Sequence, residues 1–181
     1  MGEVSGSIPL RSTMENKETE KVKKDIHGEE FVEKATRYIS LSSTEEIMIL
    51  RAQLLTEYYV NSLLVYLLPS DEGHYYSSDR VRFSDKIKKL KESEVFSSSE
   101  IEAIQRLNRL RNKFGHDIDY QVLESDVDYL GFCFGKDYLA NKYRIDGDGK
   151  KTLKKDRLHT LLLDVCVIVA IELANLLKDK K

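Results

Sequence analysis

An all-α, antiparallel helical bundle of five or six helices is the fold class that this 181-residue chain predicts. Three observations carry that expectation. Only two prolines, Pro9 and Pro69, interrupt the chain, so long stretches contain nothing that breaks a helix. Apolar residues recur at helical spacing in several segments. Hydroxyl residues followed three positions later by glutamate stand where such segments begin.

In chain order, residues 1–15 are small and polar and read as a flexible tail, leaving 16–181 as a single helical-bundle domain. Residues 16–38 are charge-rich with a weak helical pattern through Val22, Ile26, Phe31, Ala35 and Tyr38, and Gly28 is a plausible break. Ser43-x-x-Glu46 has the form of a capping box and opens a helix that Pro69 ends. Its apolar residues, from Ile47 and Leu50 to Leu64 and Leu68, run nearly all the way round, which suits a helix central in a bundle or at a subunit contact. Glu57 and Asn61 are its polar exceptions, projecting with Leu50, Leu54 and Leu64.

Residues 70–82 read as a polar loop, and Ser84 as the cap of a short helix whose Lys86, Lys88, Lys89 and Lys91 form a solvated face. Ser97, Ser98 and Ser99 before Glu100 and Glu102 give overlapping capping boxes for a helix expected to stop near Phe114, with Gly115 as its terminator. A helix over 125–141 follows, weakened by Gly131 and Gly135. Asp146-Gly147-Asp148-Gly149 is a turn; Lys150 and Lys151 stand where a calcium loop needs an acidic ligand and a glycine. The last helix spans about 153–178, its length outweighing a β-branched middle.

Composition narrows the function classes. With 29 Lys and Arg against 31 Asp and Glu, the net charge of −2 gives no global pull toward nucleic acid or membrane. The longest apolar run, Val165 to Ile171, is seven residues, against about twenty for a span. No secretory leader pattern is present in these residues, so a soluble cytoplasmic protein without membrane association is expected. Cys133 and Cys166 lack metal-ligand spacing and sit among apolar residues, as buried thiols do. No metal or cofactor is implied.

The densest chemistry lies in Arg111-Asn112-Lys113-Phe114-Gly115-His116. Ile101, Ile104, Leu107, Leu110 and Phe114 form the apolar stripe of its helix, and Asn108 and Arg111 fall within that stripe on a wheel of about 100° per residue. A charge there needs a partner or a cavity, since bare burial costs several kcal/mol. Glu57 is the expected partner of Arg111, within a supporting network of Glu57, Asn61 and Asn108. Arg106, Arg109 and Lys113 form a second, basic stripe on the outer side, suited to an RNA backbone. Histidine exchanges protons near neutral pH, and a fixed cation can stabilise a pentacoordinate phosphorane, so His116 and Arg111 fit RNA cleavage by the substrate's own 2′-hydroxyl.

Arg111-Asn112-x-x-x-His116, within LNRLRNKFGHD, resembles the signature of HEPN domains, an arginine and a following polar residue with a histidine a few positions on. The resemblance covers about residues 43–130 and is similar to mannitol-operon-repressor-like members, with Gly115 departing from the usual residue before the histidine. It implies a bundle that homodimerises with both motifs facing one cleft. It also implies metal-independent endoribonuclease activity in toxin–antitoxin or defence systems, with Arg111, His116 and Asn112 catalytic and RNA or an antitoxin as partner. The rival expectation is a non-catalytic interaction or regulatory module with a protein partner, or a mannitol-repressor-like regulator.

Overall fold

The computed structural model describes residues 28–143 and 152–179. The expected tail at 1–15, the first part of the 16–38 pattern and the turn at Asp146 lie outside the described residues. Within them the regular elements are helices: α1 Gly28–Tyr38, α2 Glu45–Leu67, α3 Ser70–Ser77, α4 Phe83–Glu92, α5 Ser98–His116, α6 Glu124–Gly131, α7 Gly135–Lys142 and α8 Lys154–Asp179, with a single 3-10 turn at Phe132–Phe134. The all-α bundle is as predicted, with more helices than five or six.

Helix α2 is the hub, packed against α3, α4, α5 and α8. This is what its all-round apolar pattern requires. Met48, Ile49, Ala52, Tyr59, Val60, Leu63 and Leu64 are buried on it, and Leu158, Leu161, Leu162, Val165, Cys166, Val169 and Leu173 on α8. Each such large aliphatic contributes roughly 1.5–3 kcal/mol on burial. Where the two helices meet, Thr56 Oγ1 lies 3.4 Å from Cys166 Sγ, and that thiol also reaches the Ala52 carbonyl at 3.6 Å. Burial pushes the Cys166 thiol up to about 12, so it stays protonated and inert, as its apolar neighbours in sequence suggested. By length and composition α8 is a helix that could cross a membrane.

Several boundaries depart from expectation. The cap of α2 is Thr44, whose hydroxyl accepts from the Ile47 N–H at 3.3 Å. Ser43 instead accepts from Arg51 at 3.3 Å, and Arg51 also binds the Tyr38 carbonyl at 3.1 Å, tying α1 to α2. The 70–82 stretch contains α3 rather than a loop throughout. Asp71 and Glu72 favour its N-terminal turn, and Gly73 lets it lie on α2, since a Cβ there would come 2.9 Å from the Leu64 carbonyl oxygen. Helix α4 begins one residue before Ser84, which does not cap it.

The capping box of α5 forms as read: the Glu100 N–H donates to Ser97 Oγ at 3.3 Å, and the Ser97 N–H to Glu100 Oε2 at 2.7 Å. Gly115 does not stop α5; the helix runs through it to His116 and ends at Asp117. The single helix expected over 125–141 is divided. Gly131 lies against the Tyr138 ring, where a Cβ would come within 2.4 Å, and Gly135 turns the chain at φ +57°, a backbone conformation that glycine tolerates.

Candidate functional site

Between the middle of α2, the start of α4 and the last turns of α5 opens a cleft of about 510 Å³. Leu50, Gln53, Leu54 and Glu57 line it from α2, Arg82, Phe83 and Ser84 from the entry to α4, and Asn108, Arg111 and Asn112 from α5. The fold thus brings together Glu57, Asn108, Arg111 and Asn112, four of the residues singled out in the sequence. The reason is periodicity. Leu50, Leu54 and Glu57 share one face of α2, while Asn108, Arg111 and Asn112 sit on the edge of the α5 apolar stripe where it leaves the core.

Glu57 does not pair with Arg111. Helix α4 packs against both α2 and α5, and it delivers Lys86, whose Nζ lies 3.1 Å from Glu57 Oε1. The Lys86 side chain is fully buried and that of Glu57 is 31% exposed, so the carboxylate faces the cleft with an ammonium behind it. Lys86 is therefore not part of a solvated lysine face. Arg111, expected inside the apolar stripe, is exposed, and its guanidinium donates to Asn112 Oδ1 at 3.2 Å. Among the described residues no carboxylate forms an ion pair with it.

His116 is exposed at the last position of α5 and does not line the cleft. Five residues along a helix place it about 140° around the axis and about 7.5 Å beyond Arg111. The expected stop at Gly115 would have let the chain turn His116 back; the continuous helix carries it away. Asn61 is also absent from the cleft, half-buried on α2 with its Oδ1 enclosed and without a hydrogen-bond partner.

The stripe expected on the outer side of α5 is turned toward α6. Arg106 donates to Glu102 at 3.0 Å, binds the Tyr129 carbonyl and stacks 4.3 Å from the Tyr129 ring centroid. Arg109 reaches the Tyr129 hydroxyl, and Lys113 pairs with Asp126 and donates to the Tyr120 hydroxyl at 3.2 Å. Burial pushes the Asp126 carboxyl up, but hydrogen bonds from Lys113, Tyr120 and the Leu123 N–H outweigh it and hold it below the usual carboxylate range. The bond to Asp126 raises Lys113 in turn. These three cations clamp α6 and its leading connection onto α5.

Sequence reasoning missed Gln53, Arg82, Phe83, Ser84 and Lys86. Gln53 was within reach of it, one turn before Glu57 on the same helix. Arg82 carried no signal, because its place depends on the path between α3 and α4. Among the described residues no cluster of three or more His, Cys, Asp or Glu side chains could hold a metal. Comparison with protein-family models, with curated proteins and with solved structures finds no match for this chain.

Proposed function

We propose that the chain is a metal-independent endoribonuclease of HEPN type, acting as a homodimer. One observation carries the reading: Arg111 lines an open cleft with Asn112 as its hydrogen-bond partner and, among the described residues, no carboxylate in an ion pair with it. A structural arginine on that stripe would be buried and paired. A guanidinium held by a carboxamide keeps its charge for an incoming phosphate. In this reading Arg111 stabilises the phosphorane, Asn112 fixes its orientation, and His116 transfers the proton between the 2′-hydroxyl and the leaving 5′-oxygen.

Arg111 and His116 diverge on one helix, so the mechanism needs the histidine brought to the arginine from a second copy. Leu54 and Tyr58, exposed by 59% and 39% along the cleft side of α2, supply an apolar edge for that contact. The position of His116 also favours the second reading, a non-catalytic module that uses the cleft for binding alone.

The test is cleavage of a mixed-sequence RNA in EDTA by wild type, His116→Ala and Arg111→Ala, with the ends identified. Cleavage leaving 2′,3′-cyclic phosphate and lost in both variants supports the nuclease. Absence of cleavage by a folded dimer moves the assignment to the binding module.

A further inference from the structure

Two cleft residues have no part in the chemistry proposed above. Gln53 is only 5% exposed, and its Oε1 is buried without a hydrogen-bond partner although the residue lines the cleft. A buried acceptor left in that state costs roughly 1–3 kcal/mol. Its Oε1 is shut off from solvent, so a ligand N–H satisfies it only when the carboxamide turns toward the cleft. Arg82 is the second: exposed at the entry to α4, it is another guanidinium on the same cleft as Arg111. Leu50, Leu54 and Phe83 supply apolar lining between polar groups. Because Lys86 offsets Glu57, the net charge of this region is positive.

Phosphate fits the arginines but offers Gln53 no donor. Ribose offers hydroxyl donors but gains little from apolar walls. A nucleobase supplies N–H groups at its edge and apolar faces for Leu50, Leu54 and Phe83. The cleft also falls within the range of about 300–1,000 Å³ typical of small-ligand sites.

We infer that this cleft is a base-reading subsite, which takes one nucleotide with its base against Leu50, Leu54 and Phe83, its N–H edge on Gln53 and its phosphate on Arg82. The inference rests on the RNA reading of the same cleft. An adenine or a uracil edge fits, because each sets an N–H beside an acceptor and so matches the two halves of one carboxamide.

The test is calorimetric titration of the full chain with adenosine 5′-monophosphate, uridine 5′-monophosphate and ribose 5-phosphate. Adenylate and uridylate are each expected to bind about tenfold or more tightly than ribose 5-phosphate. Gln53→Leu, which removes an unsatisfied polar atom from a buried position, should reduce adenylate to the level of ribose 5-phosphate. Arg82→Ala, at an exposed residue, should weaken all three ligands and keep their order. Adenylate binding no tighter than ribose 5-phosphate, or an adenylate advantage that survives in Gln53→Leu, would overturn the subsite. RNA cleavage is the separate readout. Cleavage without an adenylate advantage sinks the subsite alone, whereas an adenylate advantage without cleavage sinks the nuclease and leaves the subsite standing.

Discussion

Replacing Glu57 with alanine should destabilise the fold far more than removing the charge of its partner, although the two share one ion pair. The asymmetry follows from exposure: the Lys86 side chain is fully buried, while that of Glu57 is 31% exposed at 3.1 Å from it. Glu57→Ala strands an ammonium in the core, and breaking a buried pair in this way costs about 3–5 kcal/mol. Lys86→Met keeps the volume and leaves a carboxylate that water can reach, so its cost is about 1 kcal/mol or less. The double variant buries no charge and should recover most of the Glu57→Ala loss, a coupling of about 2 kcal/mol or more. Urea unfolding of the four proteins at pH 7 measures these terms. At about 2–4 °C per kcal/mol, Glu57→Ala should also melt roughly 6–20 °C lower. Equal losses for the two single variants, or no recovery in the double, would refute the claim that the buried ammonium dominates.

Other outcomes follow from the same geometry. Arg111→Ala and His116→Ala remove exposed side chains that make no ion pair among the described residues; both should melt within about 0.5 kcal/mol of wild type, so any lost activity is not unfolding. Gly115→Ala, with nothing within 4 Å of the new Cβ, should stabilise α5 by about 0.5–1 kcal/mol, whereas Gly73→Ala forces a Cβ to 2.9 Å from the Leu64 carbonyl and should destabilise by more than that in thermal melts. Asp126→Ala leaves Lys113, Tyr120 and the Leu123 N–H without their acceptor and should cost about 2–3 kcal/mol. Because Asp126 is held below the usual range, its stabilisation is complete above about pH 4 and is lost as pH falls through the folded value. Acid unfolding of Asp126→Asn should therefore show a shallower dependence on pH below 4 than wild type.

Local patterns fixed much of this protein. The all-round apolar α2, the Ser97–Glu100 capping box and the extent of α8 are decided by neighbours within a few residues, and each forms nearly where the sequence placed it. The convergence of Asn108, Arg111 and Asn112 was legible for the same reason, since all three lie within about one helical turn. Partnerships between elements were not legible. Whether Arg111 or Lys86 meets Glu57 depends on which helix packs nearer, and α4 decided it by covering that part of α2. The basic stripe of α5 had the spacing of a solvent face, and it became a clamp because α6 folded over it with Asp126 and Tyr129. Gly115 shows the converse: its sequence is compatible with helix or stop, and α5 runs through it to His116, which is thereby turned away from Arg111. Charge and periodicity can say that a polar residue needs a partner; only the packing of helices distant in sequence says which partner arrives.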